Sequence, residues 1–211
     1  LSVHTTQPAT TIKAIETLYQ KRVDFDPNVC STQQDTPHPL HYSIENSTPA
    51  ILTQILQHPK IDPNFLNKQG FTPLSYAYNI NRLEFVPHLI NDERINYNAG
   101  RITPLMGAVL SGDVKVVQHA LSKIPNCNIR QLGYFTDSPD LQGEALHLAA
   151  RACNGEMITF FLQHPDIDPT VLTTAHHSIL HYAVMNKDVT CLQAIVDFPN
   201  IFDKLNINLL D

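Results

Sequence analysis

Apolar positions recur along this chain with a helical rhythm, most clearly in residues 69–98, QGFTPLSYAYNINRLEFVPHLINDERINYN. Leu74, Ala77 and Tyr78 fall at i, i+3 and i+4, one face of a short helix. Pro73 suits the first helical position, where its missing N–H would have had no partner, and Thr72 before it can cap with its hydroxyl. After Asn79-Ile80-Asn81, Leu83, Val86 and Ile90 mark a second helix, in which Pro87 is expected to introduce strain or a kink. Neither helix is long enough to persist alone in water, so the pair must stack on something.

The sequence supplies near-copies of the same pair. A marker leucine after the turn stands in HPLHYS (Leu40), TPLSYA (Leu74), TPLMGA (Leu105), EALHLA (Leu146) and SILHYA (Leu180), at steps of 34, 31, 41 and 34. Three residues after each marker comes a small residue: Ser43, Ala77, Ala108, Ala149 and Ala183. A second apolar helix follows in every copy, then a third shared phrase: KIDPN, RINYN, PNCN, DIDPT and PNIF. Residues 11–22 hold Ile12, Ile15, Leu18 and Tyr19, the second helix of an incomplete first copy whose exit, DFDPN, echoes the others.

A period near 33 with a helix–turn–helix and a T-P-L-H-x-A core resembles the ankyrin repeat. The resemblance covers roughly residues 11–205, with glycine scarce at the turns: Thr36, Arg101 and His176 stand near positions where the family usually has Gly. The expected fold is therefore all-α, an ankyrin-repeat solenoid of about five helix–turn–helix units plus a partial N-terminal cap. Residues 1–10 are expected to be a loose segment and 11–211 a single repeat domain. Its units lie near 11–30 (partial), 35–67, 68–98, 99–130, 140–172 and 174–205. The long step from Leu105 to Leu146 places an enlarged loop near 129–143.

Composition narrows the function. The charged fraction is 16%, low for a folded chain, so the surface must be rich in Asn, Gln, His, Ser and Thr. A net charge of −6 argues against a nucleic-acid partner, which leaves a basic footprint. No apolar run approaches the length that spans a bilayer. Cys30, Cys127, Cys153 and Cys191 show no C-x-x-C pair and read as free thiols in a reducing, cytoplasmic setting. The chain begins at Leu1 and ends in INLLD, soon after the start of a fresh repeat, so a fragment of a longer protein is expected.

Candidate chemistry is sparse. His41, His147 and His181 occupy the T-P-L-H position, where the resemblance implies hydrogen bonding to backbone of neighbouring turns. His177 and His181, with His176 adjacent, could share a helix face, but no acid or Cys at ligand spacing completes a zinc site. Asp62, Asp166 and Asp168 lie in I-D-P phrases and read as turn formers. No phosphate-binding, metalloprotease or nucleophile-elbow motif occurs. No catalytic residue, metal or cofactor is expected.

What remains is surface. Stacked helix pairs present an extended concave face that binds proteins. The resemblance implies contacts at finger tips and at the ends of first helices: Lys68, Gln69, Phe71, Ile102 and His177 at tips, and Ile80, Leu110, Arg151 and Met185 on helices. Phe71, Ile80, Ile102, Leu110 and Met185 are apolar where solvent is expected, the mark of a partner site if grouped. In the enlarged loop, Tyr134 and Phe135 beside Asp137, Pro139 and Asp140 have hot-spot composition, though packing against adjacent helices is the alternative. The expected function is non-catalytic protein recognition by a monomer. The Asn/Gln/His-rich repeats resemble those of ankyrin proteins that intracellular bacteria secrete into the host-cell cytoplasm, which would make the partner a host protein. The alternative is a target-positioning portion of a larger enzyme whose catalytic domain lies elsewhere.

Overall fold

The computed structural model describes residues 26–28, 37–135, 138–186, 189–199 and 201. The expected loose segment 1–10, most of the partial cap at 11–30 and the apolar tail after Ile201 lie outside them. The chain divides into two compact units, Leu1–Gly100 and Arg101–Asp211.

In the N-terminal unit, α1 (Pro39–Asn46) pairs with α2 (Pro49–Leu56), and α3 (Pro73–Asn79) pairs with a 3-10 turn (Leu83–Phe85) running into α4 (Val86–Ile90). The C-terminal unit holds three pairs: α5 (Pro104–Leu110) with α6 (Val114–Lys123), α7 (Ala145–Arg151) with α8 (Gly155–Leu162), and α9 (Ile179–Met185) with α10 (Val189–Val196). First helices pack on first helices (α1 on α3; α5 on α7; α7 on α9), and second helices do the same. These helices run five to ten residues, so contact with neighbours carries their stability.

Local chemistry sets the starts. Pro39, Pro49, Pro73 and Pro104 all occupy first-turn positions. The Thr72 hydroxyl accepts from Ser75 N at 3.2 Å while Ser75 Oγ accepts from Thr72 N at 2.9 Å, a reciprocal cap. Thr103, Asp113 and Asn154 cap α5, α6 and α8 by accepting from the backbone amides of Met106, Lys115 and Met157. Between the two helices of a pair the chain turns through the left-handed region at Asn81, Gly112 and Cys153. Leu40, Leu74, Leu105 and Leu146 are buried, as are Ser43, Ala77, Ala108, Ala149 and Ala183, whose small size lets helices approach.

Two expectations are corrected. Pro87 does not kink a helix: the second helix of its pair opens as a 3-10 turn, which puts Pro87 in the first turn of α4 where no N–H is missed. Cys153 and Cys191 are not free thiols but a disulfide, their Cα atoms 5.4 Å apart; Cys127 is free. The enlarged loop has regular structure. It forms an antiparallel hairpin of β1 (Gly133–Phe135) and β2 (Ser138–Gly143), with Gly133 opposite Gly143, Tyr134 opposite Gln142, and a bulge before Phe135 pairs with Ser138.

Candidate functional site

Each repeat exits through the phrase that contains I-D-P-N or its variants, and there the backbone is tied twice. Within a phrase, an Asp or Asn oxygen accepts from the amide two residues on: Asp26 from Asn28, Asp62 from Asn64, Asn96 from Asn98, Asn128 from Arg130 and Asp168 from Thr170, at 2.8–3.0 Å. Between phrases of the N-terminal unit, an asparagine carboxamide acts as a spare peptide group. Asn28 donates to Lys60 O at 2.6 Å and accepts from Asp62 N at 2.8 Å. Asn64 repeats this with Arg94 O (2.8 Å) and Asn96 N (2.7 Å). Asp62 and Asp168 are thus turn formers, as expected.

At the opposite end of the helices another set of side chains caps neighbouring turns. Arg82 donates to Glu45 O and Ser47 O, Asn154 to Gly112 O, and Asn186 to Ala150 O and Arg151 O. These bonds satisfy C-terminal carbonyls that short helices leave open.

The finger loops are built alike. Asn67 Oδ1 accepts from the amides of Gln69 and Phe71, and Thr173 takes the matching place with His176 and His177. His176 adopts φ +61° where the earlier finger has Gly70 at +86°. The hairpin joins this series: Tyr134 N donates to Arg101 O at 2.8 Å, and Gln142 O accepts from Thr174 N at 3.1 Å. A short ladder therefore runs from Arg101 through β1 and β2 to Thr174.

The first helices present a face whose exposure differs between the two units. Two residues after the marker leucine come Tyr42, Tyr76, Gly107, Leu148 and Tyr182. In the N-terminal unit Tyr42 is 56% exposed and Tyr76 half-buried. In the C-terminal unit Gly107 and Leu148 are buried, and Tyr182 is 1% exposed. Tyr182 is covered by Phe135 of the hairpin together with His147 and His177. Gly133 packs closely on the Met106 side chain, whose sulfur would have to move for any Cβ there, and Gly143 lies under Phe135, Thr173 and His147. Phe135 meets Tyr182 edge to face at 5.8 Å, and Arg151 lies over both rings, 5.4 Å from Phe135 and 5.8 Å from Tyr182.

The residues expected at a partner site separate accordingly. Lys68 and Gln69 are exposed at a finger tip, and Met185 is 59% exposed on α9. Ile80 and Leu110 are half-buried. Phe71 and Ile102 are buried, which corrects the expected apolar patch: each sits just before a helix cap and folds inward to the core. Phe135 is core as well, so the hot-spot reading of the loop is corrected to packing; Tyr134 is half-buried with the Arg101 guanidinium 5.2 Å over its ring. Arg151 is held by aromatic rings, and His177 stacks on His181 at 5.4 Å and meets Tyr182 at 5.6 Å. Val184 is 63% exposed although Ile44, Tyr78, Val109 and Ala150, its counterparts in the other repeats, are buried.

The histidines of the core motif bond backbone. His41 Nε2 meets Phe71 O at 3.0 Å and His147 Nε2 meets Val171 O at 2.8 Å. Burial pushes His41 down to about 4, and burial with the charge of nearby His41 does the same to His38. Burial lifts the Glu144 carboxyl above its usual range despite the Arg130 guanidinium at 3.2 Å. Among the described residues no group of three or more His, Cys, Asp or Glu is placed to hold a metal ion, and no helix is long and apolar enough to cross a membrane.

Two features escaped the sequence-based reading. Tyr42 and Tyr76 share one register position, a signal visible in HPLHYS and TPLSYA. Asn28 and Asn64 close the D-P-N phrases, where the asparagine rather than the aspartate spans repeats.

The sequence matches the family described as ankyrin repeats (3 copies) over residues 40–131 and 105–208. A protein of Fowlpox virus (strain NVSL), named as an ankyrin repeat protein, is 25% identical over 203 residues, which is 93% of this chain and 32% of that protein. The chain thus spans about a third of that relative's length. Among solved structures, the ankyrin repeat domain of Bcl-3, a member of the IkappaB protein family, superposes with a TM-score of 0.67 at 16% identity, over 89% of this chain and 79% of that one.

Proposed function

Because the chain belongs to the ankyrin repeat family, whose repeats generally serve protein–protein interaction, we propose that it is a non-catalytic recognition module. It binds its protein partner on the first-helix face of the N-terminal unit. The observation that carries this reading is the contrast at one repeat position: Tyr42 is 56% exposed, whereas Tyr182 is 1% exposed beneath the hairpin. Tyrosines on a rigid helix face offer large contact area at low entropic cost, the composition of binding hot spots. The tip residues Lys68 and Gln69, both exposed, and the half-buried helix residue Ile80 are included in the proposed face.

The partner proposed is a host-cell protein met by the monomeric chain. The Asn-, Gln- and His-rich, charge-poor surface supports this, as does a relative in a virus. The expected bacterial effector rests on composition alone; the element common to both readings, a partner supplied by a host cell, is the form retained. No observation favours the alternative of an enzyme's targeting portion.

The test is affinity capture from host-cell extract with the parent chain, Tyr42→Asp and Ile80→Asp, read by quantitative mass spectrometry. Proteins held by the parent should fall several-fold with both variants and stay with Leu132→Asp, a change at an exposed apolar residue of the C-terminal unit. Equal recovery with all four chains would move binding off this face.

A further inference from the structure

The second-helix layer of the C-terminal unit carries a groove of about 430 Å³ where α8 and α10 pack together. Gly155, Glu156 and Thr159 of α8 and Val189, Gln193 and Ala194 of α10 line it. α8 opens on glycine at this groove, whereas α6 and α10 open on Val114 and Val189. Nothing in the fold requires that glycine. Its backbone lies outside the left-handed region, and a Cβ added there would meet Ala194 Cβ and Thr190 O at 3.6 Å, an ordinary contact. The missing side chain leaves space that alanine would enter without strain.

Glu156, Thr159 and Gln193 offer this space acceptors rather than donors. Glu156 is exposed, and its carboxylate forms no ion pair or hydrogen bond with any described residue. The Thr159 hydroxyl is spent on Gly155 O at 2.9 Å. Gln193 Nε2 donates to Asp197 Oδ1 at 2.6 Å, which leaves the carboxamide oxygen to accept from a guest. Val189 is 72% exposed and, with the Ala194 methyl, supplies apolar surface. A guest that suits the groove therefore brings an aliphatic stem with a positive donor at its end. Long basic side chains have that form, since their methylene stems cover apolar surface while the charged head stays in water.

We propose that the α8–α10 groove receives a lysine side chain of a protein partner, its stem on Val189, Ala194 and the space at Gly155, its ammonium on the Glu156 carboxylate. One carboxylate and one neutral carbonyl among the lining groups suit a compact ammonium with three rotatable donors. The planar fork of arginine gains most from bidentate pairing. A net charge of −6 favours a basic partner segment over long range. An exposed ion pair contributes little alone, so burial of the stem carries part of the binding. This site goes beyond the functional reading above: it belongs to the second helices of the C-terminal unit, and its test does not depend on the Tyr42 face.

The experiment titrates the full 211-residue chain, labelled at its valine and alanine methyl groups, with N-acetyl-lysine methylamide and follows the signals by NMR. The norleucine, arginine and glutamate methylamides are the comparison probes. Lysine should shift the Val189 and Ala194 methyl signals saturably. Norleucine, which has the stem without the charge, should shift them several-fold less, and glutamate not at all. Glu156→Gln should weaken the lysine response several-fold, and Glu156→Asp should keep part of it. Gly155→Ala should leave the chain folded by circular dichroism and reduce the response, and Gly155→Leu, which fills the groove, should abolish it. Should Gly155→Leu unfold the chain, Glu156→Gln alone decides. Tyr42→Asp should leave these shifts unchanged, so failure of this site and failure of the Tyr42 face are read separately. Equal shifts from norleucine, a larger response to arginine or glutamate, no saturable shift, or indifference to Glu156→Gln would each overturn the lysine assignment.

Discussion

The guanidinium of Arg151 lies 5.4 Å from the centroid of the Phe135 ring. Through that contact an insertion between two repeats is drawn onto the first-helix face of the C-terminal unit, where Phe135 also meets Tyr182. A residue that arrives on a surface hairpin thereby becomes part of a core.

Phe135→Ala should therefore destabilise the chain by about 3 kcal/mol, the lower part of the range for deleting a buried aromatic ring. Tyr134→Ala, which removes a half-buried ring and its contact with Arg101, should cost about 1 kcal/mol or less. Urea unfolding followed by circular dichroism measures both. Equal, small losses would mean that the hairpin rests on the unit without being part of its packing.

The Asn64 carboxamide stands between two phrases as a peptide group would. Asn64→Ala removes the bond to Arg94 O and the bond from Asn96 N, each worth roughly 0.5–1.5 kcal/mol. The site is exposed, so water repairs part of the loss, and a total near 1 kcal/mol is expected. The local reading is sharper: amide exchange at Asn96 should speed up at least several-fold in Asn64→Ala. Asn64→Asp keeps the acceptor for Asn96 and should preserve most of that protection, while it sets a carboxylate against the Arg94 carbonyl.

The helical rhythm and the recurring leucines made the helix pairs legible, because burial of one face every 3.6 residues leaves its trace at the level of residue type. Placement of the turn formers was equally readable, since Asp before Pro has a local cause. The hairpin was not. Gly133-Tyr134-Phe135 is too short to show alternation, and what fixes it is the ladder from Arg101 to Thr174, contacts between residues far apart in sequence. The same holds for the partner face. Phe71 and Tyr42 are both aromatic near a helix start, and only packing decides that Phe71 turns inward while Tyr42 stays in solvent. The pairing of Cys153 with Cys191 likewise depends on α7 and α8 meeting α9 and α10, which spacing alone does not reveal.

Acid should weaken the N-terminal unit before carboxylates begin to protonate. His41 is pushed down to about 4 from 6.5 by burial, so the folded chain holds it neutral while the unfolded chain binds its proton. The unfolded state thus takes up more protons between these values, and stability falls as pH drops from 6.5 towards 4, then levels off. The full shift corresponds to roughly 3 kcal/mol for this one group, with His38 adding in the same direction. Urea midpoints at pH 7.0, 5.5 and 4.5 should decline in the parent, and His41→Gln should be less stable at pH 7 but lose less on acidification. Proton titration of the His41 ring by NMR provides the direct check: a midpoint near 6.5 in the folded chain would remove the cause.

Cys153 holds the left-handed turn after α7, and Cys191 lies buried in α10. Their bond closes a loop of 38 residues that contains α8, α9 and the finger between them. Cross-linking a loop of that length removes unfolded-state entropy worth about 4 kcal/mol in the chain-entropy treatment. The bond therefore braces the pair α9–α10 against the pair α7–α8. Reduction should lower the unfolding midpoint of the C-terminal unit and leave the N-terminal unit as it was. Cys153→Ser should reproduce the reduced behaviour whether or not reductant is present, which separates loss of the bond from any other action of the reagent. Cysteine alkylation before reduction should label Cys127 and spare Cys153 and Cys191. If both are labelled in native, unreduced protein, the bond is absent in solution and the pair α9–α10 stands on packing alone.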